Sequence, residues 1–236
     1  MLSERIASLA AQAGVERRLS EVVIGLGFTL VCLDDGACGV AYTLRDELER
    51  GCDAFNEAGK IRGREVGEVL PWIGGSSIIA SSVGLAAANA LLLPPEEAFS
   101  GDLMAYLDLK AGERVVTVGR FRPMEARLKR AGVELAVIER EDHNSPLSAC
   151  DVALVTATSI INNTLEGILG VIAGAREVVI LGPSAPYAPG AFEGSAVTVL
   201  AGSAVSDLES VRRIISEGGG TQTMGKALGR WMARVA

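Results

Sequence analysis

The chain has 236 residues, 49% of them hydrophobic and 22% charged, with a net charge of −7 at pH 7. That length fits one large domain or two small ones, the apolar content is ample for packed cores, and the composition excludes a disordered chain. The acidic balance argues against a general nucleic-acid binder. Aromatic residues are only 4% while glycine reaches 28 residues, so the interior is built from Ala, Val, Leu and Ile around many backbone turns and close approaches. With a single histidine, His143, a His-His metal site or a triad with spare histidines is disfavoured.

Met1 to Ser20 reads as an amphipathic helix rather than a signal peptide, with Leu2, Ile6, Leu9, Ala13 and Leu19 roughly on one face and Ser3 as N-cap. Glu21 to Leu33 is strand-like, and Cys38 to Leu44 returns as its hairpin partner. The turn signal Asp34-Asp35-Gly36 admits two registers. A two-residue Asp35-Gly36 turn pairs Cys32 with Gly39 and puts the thiols on opposite faces, whereas a three-residue loop sets Cys32 directly across from Cys38. Arg45 to Glu68 reads as loop with a short helix. The longest apolar stretch, Ser77 to Leu93, is interrupted by Ser81, Ser82, Gly84 and Asn89 and stops at Pro94-Pro95. It predicts a buried helix over about Ser77 to Leu92, too short and too polar for a membrane span. Ala98 to Asp108 reads as a link into something new.

From Glu113 the pattern alternates. Strands are expected over Arg114–Gly119, Val133–Ile138, Asp151–Thr156, Val178–Leu181 and Ala196–Leu200, with helices over Pro123–Ala131, Asn163–Ala173 and Ser206–Glu217. Near-continuous apolar strands separated by helices imply a parallel sheet covered on both faces, a Rossmann-like half. The expected organisation is α/β: an α+β unit over residues 1–97, then a Rossmann-like unit over 98–236. The four cysteines, Cys32, Cys38, Cys52 and Cys150, contain no CxxC, and a reducing cytoplasm is the simplest setting.

Charge divides unevenly. Residues 1–100 carry 8 basic and 14 acidic residues, net −6, and residues 101–236 carry 14 and 15, net −1. Lys110 to Arg130 concentrates seven basic residues against Glu113 and Glu125, so the first strand-turn-helix of the parallel sheet is locally positive.

Ligands of open parallel sheets sit beyond the carboxyl ends of the strands. The first exit, Gly119-Arg120-Phe121-Arg122, occupies the place of a dinucleotide fingerprint but puts Phe121 and Met124 where its second and third glycines belong. Phe121 would fill the space of the phosphates, so NAD or FAD in the usual pose is not expected. Arg120 and Arg122 beside a helix start suit a carboxylate or phosphate; the alternative is that they are solvated or pair with Glu139. Glu139, at the second exit, could hold a hydroxyl. At the third exit Thr156, Thr158, Asn162 and Asn163 exceed what capping one helix requires. Gly182-Pro183-Ser184 forms the fourth exit loop, and Asp207 follows the fifth.

Taken in order, several short stretches resemble one family: Gly25-Leu-Gly-Phe-Thr29, Gly39-Val-Ala-Tyr-Thr43, Gly84 to Leu91, Val118-Gly-Arg-Phe121, Val137-Ile-Glu-Arg140, Thr156 to Leu165, Leu181 to Pro186, and Ala201-Gly202 with Asp207. The family is the two-part proteins labelled "putative heavy-metal chelation", whose enolase-N-terminal-like domain (DUF4213) precedes a Rossmann-like domain (DUF364). Asn163 departs from the pattern, where the resemblance implies Gly. The resemblance implies a ligand site in a cleft between the two parts, and a link to metal-chelator or anaerobic cobalamin-type cofactor metabolism.

The expectation is a cytoplasmic protein that binds a small anionic metabolite, or an organic metal chelator, in that cleft. Arg120 and Arg122 would hold the anion, Glu139 a hydroxyl or amine, and Thr158, Asn162 and Ser184 would orient it, with Tyr42 and Asn89 contributed by the first part. No nucleic-acid or membrane partner and no protein-held metal is expected, while the cofactor and a homo-oligomer stay open. Two alternatives compete. One is a metal-binding or metal-delivery protein using Cys32 and Cys38, with Cys52 or His143 as an optional further ligand; the other is a nucleotide-dependent enzyme with an altered phosphate loop. No nucleophile or proton-transfer pair is singled out, so whether the protein is an enzyme stays open.

Overall fold

In a computed structural model that describes residues 1–47, 55–99, 101–139, 146–172 and 174–235, the N-terminal part forms a three-stranded antiparallel meander. Helix α1 (Leu2–Ala11) precedes the strands β1 (Leu19–Ile24), β2 (Phe28–Leu33) and β3 (Cys38–Tyr42). Met1, not Ser3, caps α1; Ser3 lies inside the helix and is buried. The single strand expected over 21–33 is two strands, because Gly25 and Gly27 permit a tight turn closed by the Gly25 N–H donating to Phe28 O at 2.9 Å. A Cβ on Gly25 would lie 2.4 Å from Ile215 O and one on Gly27 2.8 Å from Gly219 O, so this turn is pressed against distant backbone where no side chain fits.

Behind the meander lies α3 (Ile78–Leu91), which follows the single-turn α2 (Val66–Val69) and is capped by Ser77 Oγ accepting from Ala80 N at 3.3 Å. All but Ile78 and Ala80 of its fourteen residues are buried, which is why it shows no polar face. At fourteen residues α3 spans about 21 Å, well short of a bilayer core. Among the described residues no helix is long and apolar enough to cross a membrane. Its small residues let a strand approach closely: a Cβ on Gly39 would lie 2.3 Å from Ala86 O and 2.4 Å from Ala90 N.

The second sheet has six strands in the order β5-β4-β6-β7-β8-β9. These are β4 (Arg114–Val118), β5 (Glu134–Ile138), β6 (Val152–Thr156), β7 (Glu177–Leu181), β8 (Val199–Val205) and β9 (Leu228–Arg234). The first five are parallel; β9 runs antiparallel to β8 over seven paired residues. Helices α4 (Leu103–Leu107), α5 (Arg122–Arg130), α6 (Thr158–Ile161), α7 (Leu165–Val171), α8 (Pro189–Phe192), α9 (Leu208–Ser216) and α10 (Thr221–Met224) connect and flank the strands. The chain order reverses between β4 and β6, which makes their carboxyl ends the topological switch point.

Three expectations change here. The expected link over 98–108 contains a 3-10 turn (Glu96–Phe99) and α4, whose N-cap Asp102 accepts from Met104 N at 2.8 Å. The fifth strand begins at Val199 and runs on to Val205, through Ala201–Ala204, which are small and poor strand formers. It is held there by β9, whose Trp231 ring covers Gly202 so closely that a Cβ would come within 2.2 Å. The helix expected from Asn163 begins at Leu165, because Asn163 is left-handed at φ 57°, a conformation that asparagine tolerates better than most residues.

The core runs through both sheets: Val83 and Ala87 of α3 share one apolar cluster with Val155, Ile161 and Ile180. A Gly39→Ala variant is expected to lose about 1–3 kcal/mol of stability, because the new methyl meets backbone rather than a movable side chain. Urea unfolding monitored by tryptophan fluorescence checks this, and an unchanged midpoint would contradict the packing described.

Candidate functional site

The seam between the sheets is held by polar groups of α3. Ser81 Oγ accepts from Gly74 N and donates to Ile161 O, both at 2.8 Å. Ser82 Oγ donates to Tyr42 O at 2.8 Å. Asn89 Nδ2 donates to Val40 O at 2.9 Å and to Ser184 O at 3.3 Å, joining β3 to the loop after β7. Two carbonyls facing one amide fix its orientation, since only the NH₂ end can donate. Ser184 Oγ completes the joint by accepting from Tyr42 N at 2.9 Å.

Above this seam opens a cavity of about 1330 Å³, walled by the exits of β4, β6 and β7, by β8 and β9, and by the ends of the meander strands. Of the residues expected from sequence, Gly119, Arg120, Arg122, Glu139, Thr156, Thr158, Asn162, Gly182, Pro183, Ser184 and Tyr42 line it. Asn163, Asn89 and Asp207 do not. Asn163 forms the left-handed turn beside Gly74, Asn89 is spent on the seam, and Asp207 caps α9 by accepting from Ser210 N at 3.1 Å. Cys52 and His143, and Arg140 of the second exit, lie outside the described residues.

Gly119 is required at the switch point. It is at φ 97°, and a Cβ there would sit 2.9 Å from the Thr156 side chain. The hydroxyls of the third exit are partly committed: Thr156 and Thr158 share a hydrogen bond at 3.0 Å, and Asn162 Nδ2 donates to both carboxylate oxygens of Glu47 at 3.0 and 3.2 Å. Asn162 therefore ties the two parts across the cavity mouth.

The start of α5 is not an empty anion site. The Phe121 N–H donates to Glu125 Oε1 at 2.9 Å, so the carboxylate of a buried glutamate already occupies it. A pyrophosphate here would meet negative charge as well as the Phe121 ring. This argues further against a dinucleotide in the usual pose. Arg120 is ion-paired with Glu139 and lies 3.9 Å from Glu125; Arg127 pairs with Asp102 at 2.6 Å and holds that carboxyl below the usual carboxylate range. Arg122 and Arg230, both exposed, have no carboxylate partner among the described residues.

Sequence reasoning missed Glu47, Asp102, Arg127, Arg230, Trp231 and residues 220–223 as cavity wall. Arg127 was visible in the positive stretch, but Arg230 and Trp231 become site residues only once β9 folds back along β8. A hairpin register that sequence left open is settled: Cys32 faces Cys38 directly, with the two sulfur atoms 2.6 Å apart.

A six-stranded, mostly parallel sheet with an arginine-bearing cavity at its switch point defines a Rossmann-like α/β class of protein. The chain belongs to the DUF364 family, described as "Putative heavy-metal chelation", whose model matches residues 102–234; the DUF4213 model, with the same description, matches residues 6–92. Two solved structures are similar to it. One, from Pyrococcus horikoshii, is described as a DUF364 protein with unknown function; it has 25% identity and a TM-score of 0.85, and each chain is covered fully. The other, from Desulfitobacterium hafniense and described in the same terms, has 21% identity and a TM-score of 0.81 over 99% of this chain and 98% of that one. No curated protein matches the chain.

Replacing Asn89 with Ala leaves two buried carbonyls without their donor. The expected loss is about 1–3 kcal/mol of stability, measured by denaturant unfolding. A neutral result would show that the seam does not depend on this amide.

Proposed function

We propose that the protein binds a small polyanionic metabolite, an organic metal chelator or its precursor, in the cavity between the two sheets. The observation that carries this reading is the pair Arg122 and Arg230: two exposed guanidinium groups that both line the cavity with no carboxylate partner among the described residues, while Arg120 and Arg127 are neutralised. Guanidinium groups suit carboxylates, which they can bind through two parallel N–H donors. The apolar lining from Phe121, Tyr42 and Trp231 offers a body-contacting surface beside the charged ends. Arg120 and Glu139 then act as a polar pair that a ligand hydroxyl or amine can join, with Thr158 at the third exit.

The chelator class is supported by the family description, and we extend it to anaerobic cobalamin-type cofactor metabolism, the setting that the sequence resemblance implies. Free thiols at Cys32, Cys38 and Cys150 suit a reducing compartment such as the cytoplasm. For the metal-delivery alternative, no cluster of three or more His, Cys, Asp or Glu residues that could hold a metal ion occurs among the described residues.

Isothermal titration with citrate and nitrilotriacetate, as small polycarboxylate chelators, tests the reading. Arg122→Ala is expected to weaken binding about 10-fold or more, the scale of one charge-assisted hydrogen-bonding group. Arg120→Ala is expected to have a smaller effect, because its charge is already paired. Equal binding by wild type and Arg122→Ala would overturn the assignment.

A further inference from the structure

The cysteine pair of the meander has no part in the cavity and has an arrangement of its own. The hairpin between β2 and β3 closes with the Leu33 N–H donating to Ala37 O at 2.8 Å and the Gly36 N–H donating to Leu33 O at 3.0 Å. Leu33 and Ala37 are therefore a hydrogen-bonded pair. The next pair inward, Cys32 and Cys38, is a non-hydrogen-bonded one, the position at which opposed side chains lie nearest. Both cysteines are almost fully covered, Cys32 at 4% and Cys38 at 7% exposure.

The surroundings favour sulfur chemistry within the pair over chemistry with a third group. The thiols lie in an apolar cluster with Leu30, Val40, Val211 and Ile215, so α9 roofs them. Across β1, Cys32 is in register with Glu21, and that carboxylate is engaged by Arg212 of α9 at 2.8 Å. Cys38 lies on the side of the exposed Asp34–Gly36 turn, and its sulfur is 3.3 Å from Gly36 O. The contact with Cys32 pulls the Cys38 thiol below its ordinary value, while the same contact and burial push Cys32 up. Cys38, beside the exposed turn and the less covered of the two, is the thiol that an incoming oxidant meets first.

We propose that Cys32 and Cys38 form a reversible two-electron redox pair, oxidised by a low-molecular-weight disulfide such as oxidised glutathione. The Cys38 thiolate attacks one sulfur of the oxidant, breaks its S–S bond and expels one thiolate, leaving a mixed disulfide on Cys38. The Cys32 sulfur then attacks Cys38 Sγ, forms the Cys32–Cys38 bond and expels the second thiolate. The pair loses two electrons and two protons, and one oxidant disulfide becomes two thiols. The cross-link joins β2 to β3 at the end opposite Phe28 and Tyr42, which are themselves in register and line the cavity.

Tryptic mass mapping reads this directly. Residues 19–45 contain no internal Lys or Arg and carry both cysteines, whereas Cys52 and Cys150 fall in separate peptides. Folded protein is incubated with oxidised glutathione, then denatured, alkylated and digested. The expected product is a 19–45 peptide two hydrogens lighter, refractory to alkylation, and restored to two alkylated cysteines by prior reduction. Cys32→Ser and Cys38→Ser must each abolish it. Two alkylatable thiols after the oxidant, a mixed disulfide persisting on either cysteine, or a link from 19–45 to the Cys52 or Cys150 peptide would each overturn the proposal. So would a soft metal ion that co-purifies with the pair and shields both thiols until a chelator removes it.

Discussion

Helix α3 is the member on which the two sheets depend. Buried on nearly every side, it leaves no solvent to satisfy its polar side chains, so Ser81, Ser82 and Asn89 must find backbone partners in the elements around it. Those partners lie in β3, in the loop after β7 and at the end of α6. The small residues of the same helix let Gly39 of β3 come within backbone contact. Close packing and buried hydrogen bonds thereby set where the meander ends relative to the strand exits, and the cavity is the space left between them.

The charges of that cavity are mostly spoken for. Glu139 and Asp102 neutralise Arg120 and Arg127, Glu125 occupies the start of α5, and Glu47 is bound by Asn162. This explains how a locally positive strand exit coexists with an acidic chain. Of the seven basic residues from Lys110 to Arg130, Lys110, Arg114, Arg120 and Arg127 are ion-paired, and what remains unpaired in the cavity lining is Arg122, joined by Arg230 from the other end of the chain.

Much of the second sheet was legible because parallel strands buried on both faces must be continuous apolar runs, and their exits then follow from chain order. β9 was not, because Leu228–Arg234 carries Arg230 and Arg234 in a short run and becomes a strand only by pairing with β8. The break between β1 and β2 was hidden in one apolar run, where Gly25 and Gly27 answer to backbone more than 180 residues away. The same distance in sequence limits the site. Asn89 was recognised as unusual, but its bond to Ser184 spans 95 residues, and the Ser184–Tyr42 bond 142, so neither could show that these groups serve the seam. Asn162 and Thr158 likewise stood out as surplus polar groups, but Asn162 is bound to Glu47, 115 residues away, and Thr158 to the neighbouring Thr156.

The most direct measurement is a crystal structure of the protein soaked with citrate. The expected result is citrate inside the cavity with a carboxylate on Arg122 or Arg230 and the Arg120–Glu139 and Phe121–Glu125 contacts intact. Citrate seated on the Phe121 N–H with Glu125 displaced, or a cavity left without citrate at saturating concentration, would contradict the assignment of the unpaired arginines as the anion site.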